Sequence, residues 1–496
     1  MMLDFYYLVN LITALAVSGL GYRTVGMEPT AITTSPVARL AGDFTSSLSI
    51  QVHMNYNAAS GHPNSPYGSN TMVADALAYL NPGGIGTGIG TVRDTAFYSN
   101  AIPGLDYIAG LGYRLDLYMS YDAQHSDYSA QYAALSRFVS SGFVRVIEGG
   151  LEVDGFRLVR DDTYTGLNGT RYTGWQAAVA MQMDLWSRFH STVPVALFSL
   201  ATPSNGHANS PAVAAAKKLG TSLTEIANYG NVHFYQANGD APASPSGGQL
   251  AGVIASETGY TPGLPFMITE TGFNDIHAAG YAGTPLVDAK YTMNLLLSAF
   301  MAGCALTNYY ELFDENQGYS GSEDFQDHWG LFNDNGTPKQ SAVALHNFLS
   351  VISDRKAASF KPGSLKYQIS GLSPLNGHSL LFQKSDGSFV LALWAEANIY
   401  SNAVPRTATT QTVTVALPGI YEIDVYDPML NAAALAGRQS FLVDATDSGH
   451  LTTTQSNTVK VSVVDHPILI RITDKTAVTP TSPPGRDHLG LTDIQK

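Results

Sequence analysis

The sequence predicts an α/β protein, a (β/α)8 barrel followed by an all-β sandwich. Between residues 47 and 350, short β-rich runs alternate with longer helical ones, which is the signature of parallel βα units. From 364 to 473 the helical pattern stops and alternating strands take over. The 496 residues exceed one barrel of about 250, and a 45% hydrophobic content supports a large core.

Taken in order, residues 1–25 form a signal or anchor segment. An apolar run from Phe5 to Leu20 ends in small residues, as a secretion signal does. Asp4 stands where a positive charge is expected, and the first basic residue is Arg23. A spanning helix needs about 20 apolar residues, and this run is broken by Asn10 and Thr13. The expected location is therefore secreted or periplasmic, with membrane contact only if the segment is retained as an anchor.

The barrel is assigned to residues 26–355. Eight runs supply its strands: 47–56, 89–95, 113–121, 143–150, 193–201, 231–237, 265–271 and 305–313. Amphipathic helices lie between them, among them TMVADALAYL, DYSAQYAALSRFVSS, GWQAAVAMQMDLWSRFHS, SPAVAAAKKLGTSLTEIANY and DAKYTMNLLLSAFMAGC, and SAVALHNFLSVI is the last. The sandwich occupies 356–475, with strands in LLFQKSDGSFVLALWAE, TTQTVTVALPG, GIYEIDVYDP and TVKVSVVDHPILIRIT, and a tight turn at Ser385 to Ser388. It reads as a structural cap on the barrel ahead of a carbohydrate-binding module. Residues 476–496, rich in Pro and polar side chains, read as a disordered tail.

Charge and motifs narrow the function. A net charge of −14 with no basic cluster repels phosphate backbones, so a nucleic-acid partner is not expected. The single cysteine, Cys304, excludes an internal disulfide and a multi-Cys zinc site, and its apolar surroundings read as core. NPGGIGTGIG, residues 81–90, lacks the GxGxxG spacing and precedes a strand, so it is not a dinucleotide loop. No GxSxG, GxxxxGK[ST] or HExxH pattern occurs, so no cofactor and no metal are expected. The chain reads as a monomer.

In such a barrel, chemistry sits at the C-terminal ends of the strands. Those ends carry His53, Asn55, Tyr56, Arg93, Asp94, Tyr118, Tyr121, Glu148, Glu152, His233, Tyr235, Glu270, Tyr310, Glu311 and Asp314. Carboxylates closing strands four and seven face each other across the mouth, where one can protonate a leaving oxygen while the other attacks an anomeric carbon.

Four stretches resemble the retaining glycoside hydrolases of the (β/α)8 clan A. IEGGLEVDG, 147–155, is similar to the Glu-Gly-Pro-Asn-Glu segment after strand four, and PFMITETGF, 265–273, to the strand-seven segment. TVRDT, 91–95, and NVHFYQ, 231–236, resemble the strand-two Arg and strand-six His/Tyr segments. The resemblance implies Glu152 as acid/base and Glu270 as nucleophile, supported by Arg93, His233 and Tyr235. It implies a polysaccharide or oligosaccharide substrate, with His53, Tyr56, Tyr118, Tyr310 and Trp329 as further binding residues. Trp329 is expected as an exposed platform in a polar loop. Glu148, four residues before Glu152, reads as a structural partner. The usual Asn before the acid/base is Leu151 here, which points to an unusual 2-position on the sugar or a weakened enzyme. The alternative is a catalytically weakened carbohydrate-binding protein on the same barrel; transfer to a sugar instead of water would use the same residues.

Overall fold

The computed structural model describes residues 32–34, 36–121, 128–155, 158–160, 162–201, 210–276, 283–315, 328–354, 360–401, 404–438 and 449–474. The N-terminal segment 1–25 and the tail 476–496 lie outside them, as does the start of the DYSAQYAALSRFVSS helix.

Two short strands come first, β1 (Ile32–Thr34) and β2 (Arg39–Leu40), then helix α1 (Ala41–Ser46). The barrel strands are β3 (Leu48–Gln51), β4 (Thr91–Asp94), β5 (Arg114–Met119), β6 (Val144–Gly150), β9 (Val195–Ala196), β10 (Gly230–Phe234), β11 (Phe266–Thr271) and β12 (Thr307–Tyr309). A small hairpin, β7 (Thr163–Thr165) with β8 (Arg171–Thr173), is inserted after β6. The eight barrel strands form one parallel sheet, and β12 pairs with β3 to join last to first. Between β9 and β10 the ring is bridged by the parallel pair Ala196 and Tyr229. Each strand matches one predicted run.

Helices α2 (Asn70–Tyr79), α3 (Ile102–Gly110), α4 (Ser129–Ser140), α5 (Trp175–Phe189), α6 (Pro211–Lys218), α7 (Leu250–Thr258), α8 (Pro285–Met301) and α9 (Gln340–Ile352) connect them. The long helix expected from SPAVAAAKKLGTSLTEIANY ends early. Gly220 sits at φ 78° just past α6, and Ser222 with Glu225 forms a capping box on a separate short turn. Among the described residues, no helix is long and apolar enough to cross a membrane.

Strands alternate their two faces. On β5, Leu115, Leu117 and Met119 join the cluster under the helices, while Asp116 and Tyr118 lie outside it. Val146, Ala196, Met267 and Leu306 make a separate apolar plug, and polar side chains follow toward the C-terminal end on the same strands.

The second sheet comprises β13 (Tyr367–Ser370), β14 (Gly377–Gln383), β15 (Phe389–Ala395), β18 (Gln411–Tyr426), β19 (His450–Val463) and β20 (Ile468–Thr473), with β1 and β2 at its ends. A minor hairpin, β16 (Tyr400–Ser401) with β17 (Val404–Pro405), and a short helix α10 (Ala432–Leu435) decorate it. Residues 32–40 fall inside the span read as barrel, yet β1 pairs antiparallel with β13 and β2 parallel with β14. The sheet therefore draws on both sides of the barrel sequence.

Two strands expected from TTQTVTVALPG and GIYEIDVYDP are one strand, β18. It passes through Pro418 and Gly419 with a register shift between Ala416 and Tyr421. Its first half pairs with β13 and its second with β20, so one sheet turns back on itself and encloses Leu391, Leu393, Val413, Val415, Ile423 and Ile470. TVKVSVVDHPILIRIT instead divides between β19 and β20.

The run FVLALWA on β15 is buried on both faces. Leu391, Leu393 and Ala395 face the sandwich interior, while Val390, Ala392 and Trp394 join the barrel core. Polar contacts fix the seam: Ser298 Oγ and Trp394 Nε1 both donate to Glu396 Oε1, at 2.9 and 3.1 Å. Lys290 pairs with Asp465 at 2.8 Å.

Candidate active site

Two backbone irregularities aim the side chains. Between β10 and β11 the register slips by one residue, so Val232 pairs with Ile268 but His233 with Glu270. Thr269 and Glu270, adjacent in sequence, thus both reach His233. A second slip lies between β5 and β6, where Tyr118 pairs with Glu148 and Met119 with Gly150. Gly149 is the extra residue, and a Cβ there would run into Gln182 Oε1 and the Phe198 backbone.

Just beyond, Glu152 adopts φ 40°, a left-handed conformation that a non-glycine residue holds only when its surroundings impose it. Here they do. Its N–H donates to Ser199 Oγ at 2.8 Å, and Tyr121 Oη donates to the carbonyls of Leu151 and Glu152 at 2.5 and 3.0 Å.

Arg93 is the central cation, 1% exposed. Its Nε and Nη2 make a forked contact to Glu148 at 2.6 and 3.1 Å, while Nη1 reaches Gln51 Oε1 at 2.7 Å and Glu270 Oε2 at 3.2 Å. The Tyr118 ring lies 4.4 Å from the guanidinium carbon. Tyr118 is therefore buried support for Arg93 and offers no platform to a sugar. Burial alone would raise the Glu148 carboxyl, but Arg93 holds it below the ordinary carboxylate value. Glu148 is thus held by Arg93 as an anion.

Glu270 also accepts from Tyr235 Oη at 2.7 Å. Both of its oxygens are thus engaged, Oε1 by Tyr235 and Oε2 by Arg93.

A chain of hydrogen bonds fixes His233. Asn231 Nδ2 donates to Glu148 and to the Leu197 carbonyl, which leaves Asn231 Oδ1 to accept from Thr269 Oγ1 at 2.5 Å. With its hydroxyl proton so used, Thr269 accepts from His233 Nε2 at 3.1 Å. Nδ1 then faces Glu152 Oε1 at 2.9 Å, and one proton lies on that line. Burial would lower the imidazole and raise the carboxyl. The contacts win: Glu270 and Glu152 raise His233 above 6.5, and His233 lowers Glu152. One oxygen of Glu152 and one of Glu270 lie within 4.8 Å of each other.

The remaining sequence-picked residues form a flank. Tyr56 stacks on His53 at 4.8 Å, and Tyr310 meets His53 edge-on at 5.6 Å. Trp329 packs against Tyr235 at 5.0 Å and Tyr310 at 6.2 Å and is 5% exposed, so it braces these tyrosines and is not the exposed platform expected. Asp314 turns away to Lys339 at 2.6 Å. Sequence reading missed Asn231, Thr269, Tyr67 and Gln51. Asn231 and Thr269 lie two positions from His233 and one from Glu270, and only the register slip brings them together.

No protein-family profile and no curated protein sequence matches the chain. Among solved structures, a glucosidase from Croceicoccus marinus superposes with a TM-score of 0.55 at 12% identity, covering 90% of this chain and 99% of that one. The chain shares the fold of that structure. Two other similar structures are weaker: a GH5_18 protein from Streptomyces cattleya bound to Manb1-4GlcNAc (TM-score 0.43, 11% identity, 64% and 82% covered) and a GH2 beta-galacturonidase from Eisenbergiella tayi (0.41, 11%, 66% and 55%).

Proposed function

We propose that the protein is a retaining glycoside hydrolase acting on a polysaccharide or oligosaccharide, with Glu270 as nucleophile and Glu152 as acid/base. The observation that carries this reading is that one oxygen of each carboxylate lies within 4.8 Å of the other, Glu270 being held by Arg93 and Tyr235 and Glu152 sharing a proton with His233. Retaining enzymes hold their carboxyl groups about 5–5.5 Å apart, whereas inverting ones leave room for a water at about 6.5 Å or more.

Glu270 attacks the anomeric carbon as the glycosidic bond breaks, and the leaving oxygen takes the proton from Glu152. Water then gives a proton to Glu152 and its oxygen to the anomeric carbon, which frees Glu270. The proton that Glu152 regains from water is held on the line to His233 Nδ1 for the next cycle. The double displacement requires no cofactor. Leu151 supplies no amide to a 2-hydroxyl, which favours a sugar whose 2-position is substituted or differently oriented. Export rests on the apolar run from Phe5 to Leu20.

Reducing-sugar release from a panel of neutral and acidic polysaccharides tests this reading. Wild type should cut one class, and Glu270→Gln should lose on the order of 10³-fold or more. Binding without release by wild type would favour the weakened carbohydrate-binding protein that Leu151 suggests.

A further inference from the structure

A second histidine-carboxylate group lies at the barrel mouth, built from the ends of the first and last barrel strands. His53 follows β3, and Glu311 and Glu315 follow β12. Glu311 is fully buried, and His53 and Glu315 are each 8% exposed. One ligand atom from each lies within 4.8 Å of the others.

Three features point to an ion. First, His53 Nε2 is buried and makes no hydrogen bond among the described residues, although it is aimed between the carboxylates at 3.4 Å from Glu311 and 3.6 Å from Glu315. Ligands about 2.1 Å from a tetrahedral ion stand about 3.4 Å apart, which is the spacing seen. Second, Glu311 has no lysine or arginine partner among the described residues, and its Oε1 makes no hydrogen bond. A buried carboxylate is ordinarily paired or bound to a metal. Third, Tyr67 Oη donates to Glu311 Oε2 at 2.8 Å and is itself fixed by the Phe313 N–H at 3.2 Å, the kind of outer contact that orients a ligating carboxylate.

We propose that His53, Glu311 and Glu315 bind a divalent transition-metal ion of the zinc type, tying the end of β3 to the segment after β12. Three protein ligands leave a position open to water or a sugar hydroxyl. The rings of Tyr310 and Trp329 separate this site from Tyr235 and Glu270.

The test uses the full-length, tag-free protein stripped with a chelator, titrated with Zn²⁺ alone and followed by calorimetry and elemental analysis. Wild type should take up an equivalent that Glu315→Gln and His53→Ala lose. Tyr67→Phe should bind it about tenfold or more weakly. Zn²⁺ should raise the melting temperature of wild type and leave that of Glu315→Gln unmoved. If His53→Ala does not fold, Glu315→Gln and Tyr67→Phe decide. No uptake by wild type, equal uptake by Glu315→Gln, or an equal response to Mg²⁺ would overturn the proposal, and a pair of carboxyls sharing a proton would take its place. Each readout is binding, so the outcome is independent of whether any glycoside is cut.

Discussion

Two groups at one barrel mouth each contain a histidine and two glutamates with ligand atoms within 4.8 Å, yet they differ in how their charges are met. Around His233, both ring nitrogens are engaged, by Glu152 and Thr269, and Glu270 has Arg93 and Tyr235. Around His53, among the described residues, Nε2 makes no hydrogen bond and Glu311 meets the Tyr67 hydroxyl and a neighbouring carboxyl. The first group is complete as protein and holds a transferable proton. In the second, Glu311 has no lysine or arginine partner among the described residues. Residue type alone does not make a site; the partners decide between proton transfer and cation binding.

The sharpest way to break this comparison is Glu152→Gln, which removes the transferable proton. It should lower kcat by about 10²–10⁴-fold with the melting temperature nearly unchanged. Arg93→Met comes next, because it strands Glu148 and Glu270 without their cation. Denaturant titration should show a loss of about 3–5 kcal/mol. Glu148→Gln should cost about 1.5–3 kcal/mol of stability, the worth of hydrogen bonds to a charged group. If instead it abolished turnover without loss of stability, Glu148 and not Glu152 would be the acid.

A smaller effect is expected in the pH profile. The working form carries one proton on the Glu152 and His233 pair, and His233 is raised above 6.5, so the alkaline limb of kcat/KM should fall above that value. His233→Asn leaves the proton on the carboxyl alone, and the limb should move to lower pH by about a unit or more, roughly 1.4 kcal/mol. The smallest change is Glu311→Gln in metal-free protein. It removes a carboxyl crowded by Glu315, so the melting temperature should hold or rise slightly, in contrast to Glu148→Gln.

Much of the barrel was legible because its strands are buried on both faces and read as compact apolar runs, such as FMIT on β11. Glu270 was picked as the polar residue closing the apolar run on β11, and Glu152 by the likeness of IEGGLEVDG to a family segment; the structure brings an oxygen of each within 4.8 Å of the other. The strands β1 and β2 were not, because three and two residues carry no periodicity and their partners lie far along the chain, as with Ile32 and Ile369. The unity of β18 was hidden by Pro418 and Gly419, which read as a turn but only bend the strand. The role of Thr269 was hidden by alternation, which assigns it and Glu270 to opposite faces until the register slips. His53, Glu311 and Glu315 carry no spacing signature because the ring closure between β12 and β3, not the sequence, makes them neighbours.

The central claim is a covalent intermediate on Glu270. Its most direct test is peptide mass analysis after exposing the protein to a panel of 2-deoxy-2-fluoro glycosides with good leaving groups. A single-sugar adduct on the peptide containing Glu270 is the predicted result. An adduct on Glu152 or Glu148, or turnover of the parent glycoside with inverted product and no adduct, would contradict it.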